Sequence, residues 1–274
     1  MLRRLANTRG RPILRRNIVH SAGWTGPEIS IAVVSDIHVI SPWVTLDDIR
    51  RISDQINALE PDLTVLAGDY LAGNYLPGRR ANAIQIVGAL AALSAPLGVY
   101  AVLGNHDWCD CPTAKASANK ENSVIEAFDP TTIQLLRNSN MPLVHKEHPF
   151  WMVGFDSQMP LGTGIGDGYH DPGLAFAGVP DQANSILIAH EPDYFAKGDT
   201  RPALQISGHT HGGQMNLFGW RPMTPSLYGG RFAHGHHTVD GRHLLVSGGV
   251  GFSGLPLRIA QPPEVNLITL RAAT

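Results

Sequence analysis

Cysteine is nearly absent from this sequence. Only Cys109 and Cys111 occur in 274 residues, which excludes a fold held together by a disulfide framework. The two thiols are separated by one residue. Three alternatives stay open for them: an extra soft metal ligand, a redox switch, or loop thiols that remain reduced and take no part in the chemistry.

Long apolar runs and a dominant sign of charge are also missing. No apolar run reaches the ~18 residues that a transmembrane helix requires. The chain has 21 Lys and Arg against 23 Asp and Glu, so the sequence implies no strong positive electrostatic potential that would attract nucleic acid. We therefore expect no membrane span, no nucleic-acid partner and a single large α/β domain.

The first 28 residues form a basic arm. Six arginines precede the first acidic residue, Glu28: Arg3, Arg4, Arg9, Arg11, Arg15 and Arg16. A secretory signal would continue with an apolar core of ~7–15 residues, but Ile18 and Val19 are followed at once by His20. We expect a cytoplasmic protein. The arm of residues 1–28 either touches anionic lipid or a partner, peripheral to the inner membrane, or is a disordered, solvated tail.

Apolar periodicity predicts alternating strands and helices after the arm. Strands are predicted at 29–35, 62–67 and 98–103, and helices at 46–59 and 81–93. This order is typical of a parallel sheet with right-handed crossovers. One or two short helices are predicted within 123–137, later strands at 150–155, 185–189, 204–207, 243–247 and 264–270, and loops at 108–119, 160–180 and 215–240.

Polar residues follow five of the predicted strands. Ligands of parallel sheets bind beyond the carboxyl ends of the strands, so these residues are expected to meet. Residues two apart in extended backbone share a face, which pairs Asp36 with His38 and His209 with His211. The candidate metal ligands at these ends are Asp36, His38, Asp69, Asn105, His190, His209 and His211.

The seven candidates form a mixed set of nitrogen and oxygen donors. Such a set suits Mn, Fe, Zn or Co rather than Ca, and it is large enough for two ions with Asp69 as the bridge. Two metals ~3.5–4 Å apart promote in-line displacement at phosphorus. His106 is predicted to donate a proton to the leaving oxygen or neutralise its charge, and Asp107 to fix the His106 tautomer.

Each residue taken alone has a structural alternative. Asp36 and Asp69 could cap helices, Asn105 could be a turn residue, and His190 could be a buried core histidine. All of them stand at strand ends, and Gly precedes Asp69, Asn105 and His209. This joint pattern favours a functional site.

The motifs, in this order, resemble the signature of the calcineurin-like metallophosphoesterases. The matching blocks are Asp36-x-His38, Gly68-Asp69, Gly104-Asn105-His106-Asp107, His190 and Gly208-His209-x-His211. The resemblance implies a four-layer α/β/β/α sandwich over residues 29–274, with His106 as the catalytic imidazole. It implies one metal, Mn, Fe or Zn, held by Asp36, His38, Asp69 and His211, and another held by Asp69, Asn105, His190 and His209.

The C-terminal third narrows the resemblance to the bacterial YaeI- and YkuE-like phosphodiesterases. The blocks that carry it are Gly208-His209-Thr210-His211-Gly212-Gly213-Gln214, Ser247-Gly248-Gly249-Val250-Gly251, Pro256-Leu257-Arg258 and Pro262-Pro263-Glu264-Val265. Some such relatives hydrolyse the pyrophosphate of UDP-2,3-diacylglucosamine in lipid A synthesis. Relatives often carry Arg before the Pro-Pro-Glu, where this chain has Gln261.

Further side chains are weaker candidates, each with a structural alternative. Arg221, Arg231 and Arg258 are either substrate phosphate contacts or surface residues. Trp43, Trp108 and Trp220 either line an apolar pocket or pack in the core. His234, His236, His237 and His243 form either another metal site or a hydrogen-bonded loop.

The leading hypothesis is a two-metal enzyme that hydrolyses a phosphodiester or pyrophosphate bond with a metal-activated water. Its substrate is expected to be a small or lipid-linked phosphoester. Two alternatives stay open: a phosphoprotein or small-molecule phosphomonoesterase of the same fold, and a metal-bearing scaffold protein without activity.

Overall fold

Two six-stranded sheets form the centre of the protein. The computed structural model describes residues 11–73, 77–159 and 168–273. The first sheet contains, in spatial order, β1 (Ile13–Ser21), β14 (Glu264–Ala272), β2 (Ile29–Val34), β4 (Leu63–Leu66), β6 (Val99–Ala101) and β7 (Gln134–Leu135). The second contains β12 (Gly235–Val239), β13 (Arg242–Val246), β11 (Leu204–Ser207), β10 (Ser185–Ile188), β9 (His148–Gly154) and β8 (Ser139–His145). A small antiparallel pair joins β3 (Ile40–Ser41) to β5 (Arg79–Arg80).

The central strands of both sheets run parallel. In the first sheet β2, β4, β6 and β7 are parallel, and β14 is antiparallel to β2. In the second sheet β9, β10, β11 and β13 are parallel, while β8 and β12 pair antiparallel at the two edges. Parallel strands end at the same side of a sheet, so the polar residues after them gather there.

Side-chain alternation along each strand separates the layers. In β2, Ile31 and Val33 face the space between the sheets, where Ile188 and Ile206 of the second sheet also pack. Their neighbours Ala32 and Val34 join the other core, under the helices of the first sheet. The outer face of the second sheet packs against shorter helical segments. The predicted four-layer α/β/β/α sandwich is therefore confirmed.

The helices cover the outer faces of the sheets. They are α1 (Leu46–Asn57), α2 (Ala83–Leu90), α3 (His106–Cys109), α4 (Pro112–Ala116), α5 (Ser123–Phe128) and α6 (Pro172–Ala175), with 3₁₀ segments at Pro192–Lys197, His211–Gly213 and Gly229–Phe232. Thr45 caps α1 in a reciprocal capping box with Asp48, and Asn82 does the same for α2 with Gln85. No helix in the described part of the chain is long and apolar enough to cross a bilayer.

The basic arm differs from the prediction. Ile13–Ser21 is a paired strand rather than a solvated tail, and it runs parallel to β14 over its whole length. Val19 is fully buried in the core between the sheets, which anchors this edge strand. The polar, arginine-rich sequence does not predict this strand, because an edge strand buries only part of one face and so needs few apolar residues. Residues 1–10, with Arg3, Arg4 and Arg9, lie outside the described residues.

Other elements also depart from the predicted loops. Residues 108–119 contain the end of α3 and all of α4, residues 215–240 contain β12, and residues 160–180 contain α6. Residues 160–167 lie outside the described part. Strand β8 was not predicted. Its apolar content is low, and it forms through an antiparallel hairpin with β9 that a linear pattern does not display.

A buried carboxylate ties β1 to the loop that follows β13. Glu264, at the start of β14, forms an ion pair with Arg15 of β1 and accepts hydrogen bonds from His234 Nε2 at 2.9 Å and Gly248 N at 2.9 Å. Burial alone would raise the pKa of the Glu264 carboxyl. His234, Arg15 and the Gly248 N–H outweigh burial and lower this pKa to about 2.

Glu264→Gln is expected to lower the free energy of unfolding by about 3 kcal/mol at neutral pH, since each unit of pKa shift corresponds to ~1.4 kcal/mol. The depressed pKa sets the sign: the contribution is complete above the ordinary glutamate value of 4.5 and is lost as pH falls toward about 2. Urea unfolding at a series of pH values measures the difference.

The matched control for this variant is Glu28→Gln. Glu28 pairs with Arg271 on the surface, with both side chains more than 40% exposed, so its loss should change stability by less than ~1 kcal/mol. A Glu264→Gln effect that stayed constant from neutral pH to below about pH 3 would contradict the assigned role of the charge.

Candidate metal centre

The strand ends of the two sheets meet and bring all seven predicted ligands together. One group consists of Asp36 and His38 after β2 and His211 after β11, with ligand atoms within 4.8 Å of one another. His38 Nε2 lies 3.2 Å from His211 Nε2, and His211 Nε2 lies 3.6 Å from Asp36 Oδ1. All three residues are buried.

The second group consists of Asp69 after β4, His190 after β10 and His209 after β11, again within 4.8 Å. Asn105, after β6, joins this group because its Oδ1 lies 2.9 Å from His209 Nδ1. Asp69 Oδ2 lies between the two groups, 3.4 Å from His38 Nε2 and 3.2 Å from His190 Nε2. This is the position that a bridging carboxylate requires.

Backbone carbonyls orient two of the imidazoles. His38 Nδ1 donates to Leu71 O at 2.8 Å, and His190 Nδ1 donates to Ala67 O at 2.6 Å. With Nδ1 donating to a carbonyl, each ring in its neutral form directs the lone pair of Nε2 into the site. The lone pair of His38 Nε2 then faces Asp69 Oδ2, an arrangement that a cation between them would stabilise.

Unpartnered buried atoms also fit metal binding. Asp36 Oδ2, His190 Nε2 and His209 Nε2 are buried and have no hydrogen-bond partner among the described residues. A buried polar atom without a partner costs ~1–3 kcal/mol. Three such atoms at one place, on carboxylate and imidazole groups, match the donors that transition metals prefer.

The electrostatics favour neutral imidazoles at several positions. Burial lowers the pKa of His38 to about 4 and that of His209 to about 3, and it also lowers the pKa of His211 well below its usual range. Histidine binds a metal in its neutral form, so these rings need lose no proton at neutral pH. At His190, burial opposes the charge, but the carboxylate of Asp69 outweighs it and raises the pKa to about 10, so this ring would release a proton on binding a metal.

The ligand residues adopt an unusual backbone conformation. Asp36 has φ 51°, His38 φ 45°, Asp69 φ 60°, His209 φ 69° and His211 φ 51°. Non-glycine residues rarely occupy this left-handed region, at a cost of roughly 1–2 kcal/mol each. Such strain persists only where the surroundings enforce it, and it concentrates at functional sites.

Two glycines permit the close approach of the loops. A Cβ at Gly208 would lie 2.5 Å from Asp36 Oδ2, and one at Gly104 would overlap Asp69 Oδ1. Both contacts are closer than real side chains make. Gly208 and Gly104 each pack directly against a carboxylate of the site. A residue with a side chain would not fit at either position.

His106 stands beside the ligands, and its carboxylate partner differs from the prediction. His106 Nδ1 lies 2.6 Å from Asp110 Oδ2, one helical turn further along. Asp69 and Asp110 outweigh burial and raise the pKa of His106. The prediction that Asp107 fixes the His106 tautomer is therefore corrected: Asp110 is the partner. Its spacing of four from His106 would have indicated this, had residues 108–119 not been predicted as loop.

Asp107 has a different task. Its two carboxylate oxygens accept hydrogen bonds from four backbone N–H groups, those of Asp69 at 2.9 Å, Tyr70 at 2.8 Å, Leu71 at 3.1 Å and Gly104 at 2.9 Å. It is fully buried. Asp107 therefore holds the loop after β4 against the loop after β6, and so positions Asp69.

A comparison with protein families decides what kind of centre this is. The family model described as calcineurin-like phosphoesterase matches residues 29–213, which contain all of the groups above. The chain belongs to the calcineurin-like phosphoesterases. It is a metal-dependent phosphoester hydrolase, and the recognition made from the motifs is confirmed.

Relatives support this assignment. The uncharacterized metallophosphoesterase YkuE of Bacillus subtilis is 30% identical over 245 residues, which are 88% of this chain and 79% of YkuE. The UDP-2,3-diacylglucosamine pyrophosphatase LpxG of Chlamydia muridarum is 25% identical over 289 residues, covering 88% of this chain and 83% of LpxG. Among solved structures, the NAD nucleotidase NadN of Haemophilus influenzae matches 82% of this chain and 46% of its own at 12% identity and a TM-score of 0.51, which supports the fold.

Two of the three arginines considered as substrate contacts, Arg258 and Arg231, have different places in this phosphoesterase. Arg258 is 1% exposed, and its guanidinium donates to the carbonyl oxygens of Gly251 at 2.7 Å and Gly248 at 2.8 Å. It therefore supports the loop beside the ligands, and the prediction of a substrate contact is corrected. Arg231 is exposed and lies over the ring of Phe232, at 4.9 Å from its centroid.

The other weak candidates are dispersed. Trp108 is buried and donates to Asp156 Oδ1 at 2.8 Å, whereas Trp220 is 65% exposed. Trp43 contacts Phe252 edge to face. Among the described residues, His236 stacks on His243, and His234 pairs with Glu264, so these histidines do not form one metal group. Cys109 Sγ lies 3.9 Å from His106 Nδ1, and Cys111 is buried beside Ser123.

Asp107→Asn should lower the free energy of unfolding by about 3 kcal/mol or more, because an amide offers one acceptor oxygen to four buried N–H donors and places its NH₂ group against two of them. Metal content should fall with it, since Asp69 loses its support. Thermal unfolding and elemental analysis measure both effects.

Asp110→Asn is the matched control, with the same chemical change three residues away. It should leave metal content unchanged and stability within about 1 kcal/mol, because the Asp110 carboxylate bonds side chains at the rim of the site. Equal losses of stability in the two variants would contradict the separate roles assigned to Asp107, which bonds the backbone, and Asp110, which bonds side chains.

Proposed function

We propose that this phosphoesterase hydrolyses a phosphodiester or pyrophosphate bond of a lipid-linked nucleotide, such as UDP-2,3-diacylglucosamine. The observation that carries the hydrolytic part is the position of Asp69 between two buried ligand groups. Asp36, His38, Asp69 and His211 would hold one transition-metal ion, and Asp69, Asn105, His190 and His209 the other. Bound metals polarise a phosphoryl oxygen and lower the pKa of a water.

His106 supplies the proton for the leaving group in this proposal. Its ring lies edge to face with His38, at 4.9 Å between centroids, so it borders the ligands without belonging to either group. Asp110 holds Nδ1, which leaves Nε2 as the atom that carries a proton toward the substrate. Asp110 therefore replaces Asp107 as the orienting carboxylate, and Asp107 acts on the backbone.

A cavity beside His211 supports an amphipathic substrate. It measures about 410 Å³ and its exposed lining is mostly apolar. The lining consists of His211, of Pro222, Met223, Pro225 and Gly254, and of the polar residues Thr210, Gln214, Thr224 and Ser253. Phosphate and apolar groups of one molecule therefore have neighbouring places. The likeness to LpxG, named as a UDP-2,3-diacylglucosamine pyrophosphatase, supports the same substrate class.

A panel of phosphoesters tests the proposal. Purified protein loaded with Mn, Fe or Zn is assayed on UDP-2,3-diacylglucosamine, UDP-glucose, p-nitrophenyl phosphate and bis-p-nitrophenyl phosphate. We expect the lipid-linked diphosphate to have the highest kcat/KM. Preference for p-nitrophenyl phosphate would favour the phosphomonoesterase alternative, and inactivity of the metal-loaded protein on every ester would favour the scaffold.

Asp69→Ala should lose both metals, since one carboxylate is asked to hold two cations together. Elemental analysis after dialysis, with loading at a series of metal concentrations, measures the loss. Glu191→Gln is the control, because Glu191 is a buried carboxylate whose bonds go to Ser157 and Gln158 instead. Full metal occupancy and activity in Asp69→Ala would show that Asp69 is not the bridge.

His106→Ala should retain metal and slow turnover by ~10²–10⁴-fold, which is the usual contribution of general acid catalysis. The loss should shrink for esters with good leaving groups, such as p-nitrophenol, because these need little protonation. Rates across a series of substituted phenyl diesters measure the dependence. An equal loss for every leaving group would argue for a role of His106 in metal binding or folding.

A further inference from the structure

Exposed apolar side chains crowd the segment directly after the candidate ligand His211. Phe218 is fully exposed, Trp220 is 65% exposed and Met223 is 47% exposed. Leu217, and Leu255 from the neighbouring loop, are also exposed. We call Leu217, Phe218, Trp220, Met223 and Leu255 the apolar rim. Contiguous apolar surface on a folded protein usually marks an interaction site.

The tip of the apolar rim is a defined turn. Leu217 and Trp220 exchange two backbone hydrogen bonds, at 2.9 and 3.1 Å, and Asn216 Oδ1 accepts from Gly219 N at 2.7 Å. Phe218 has φ 55°, which is unfavourable for an aromatic residue. The chain therefore holds two large aromatic side chains at an outward turn despite a conformational cost.

Hydrogen bonds to backbone carbonyls fasten this turn to the metal centre. Arg221 Nε donates to Gly212 O at 3.1 Å, next to His211, and Asn216 N donates to Ile259 O at 2.9 Å. Met223 belongs both to the apolar rim and to the cavity of about 410 Å³ that His211 lines. Apolar surface thus continues from the exposed turn to the wall of the site.

Acidic residues are scarce in the sequence around the apolar rim. Asp240 is the only acidic residue between Asp199 and Glu264, whereas Arg221 and Arg231 flank the turn in sequence. The carboxylate of Asp193 also reaches this segment, but it is buried and accepts hydrogen bonds from Ser226 Oγ and Leu227 N. Apolar and basic groups with few exposed carboxylates complement an anionic lipid surface. A second copy of the chain would bring like charges together, which argues against a symmetric dimer through this face.

We propose that the apolar rim inserts into the interfacial layer of an anionic lipid bilayer, so that the metal centre opens toward the membrane surface. A lipid-linked phosphoester could then reach the site while its acyl chains stay in or near the bilayer. This role in substrate access rests on the proposed function. Membrane insertion itself does not rest on it, because binding to vesicles requires no turnover.

Co-sedimentation of the full chain with vesicles tests the proposal. Vesicles of phosphatidylcholine alone are compared with vesicles that also contain phosphatidylglycerol. The wild type should bind the anionic vesicles, and Phe218→Ser with Trp220→Ser should lower the partition coefficient roughly tenfold or more, as expected for two apolar side chains left in water. Ile84→Ser with Leu174→Ser is the matched control, since Ile84 and Leu174 are 73% and 59% exposed on helices away from the turn.

Fluorescence locates the contact. Trp220 emission should shift to shorter wavelength on binding and be quenched by brominated lipid, and Trp220→Phe should lose this signal while it still binds. The double variant Phe218→Ser with Trp220→Ser, called the turn variant below, should keep its hydrolysis of a water-soluble p-nitrophenyl ester, which shows that it is folded. Loss of lipid binding with retained hydrolysis is the result expected.

Three outcomes would overturn the proposal. Wild type that binds neither vesicle rules out insertion, even if it hydrolyses every ester of the panel. If the turn variant still binds the vesicles, the lipid contact lies elsewhere in the protein. The arginines of residues 1–28 are then the alternative. A dimer in light scattering that the turn variant dissociates, without vesicle binding, would assign the apolar rim to a second copy.

Discussion

The four hydrogen bonds to Asp107 hold the centre of this molecule together. One buried carboxylate accepts N–H groups from the loop after β4 and from the loop after β6. These loops carry Asp69 and Asn105, so their separation determines where the bridging oxygen stands relative to the ligands of both sheets. Breaking any of these bonds would leave a buried N–H group without an acceptor, so the four together fix the two loops relative to each other.

The anchoring of these loops by Asp107 explains why so many residues of the site tolerate unfavourable backbone angles. Positive φ at the ligands and orphaned buried atoms such as Asp36 Oδ2 both destabilise the folded chain. The surrounding core offsets these costs, with Ile188 and Ile206 buried between the sheets close to the strand ends. The strands are rigid supports, and the strain is confined to the few residues that follow them.

The division of tasks among three carboxylates gives the site its chemistry. Asp69 faces the imidazoles of both groups, Asp107 faces the backbone, and Asp110 faces His106. Each has a different partner, although all three lie within a few ångströms of the same turn. The apolar rim adds a further asymmetry, because it places exposed Phe218 and Trp220 on the side of the site where His211 lines a cavity.

The sequence alone determined the donor set and the strands that carry it. Runs such as 29–34 and 185–188 are largely apolar, and Asp36 or His190 follows within a few residues, so local pattern suffices. Only the tertiary structure decided that Asp110 rather than Asp107 meets the ring of His106, that Arg258 is buried, and that β1 pairs with β14. For the pairing of β1 the physical reason is distance along the chain: residues that meet there, such as Arg15 and Glu264, are 249 positions apart, and no local periodicity records such a contact. Asp110 and Arg258 lie close in sequence to their partners, but the course of the backbone around them decides which partner they reach.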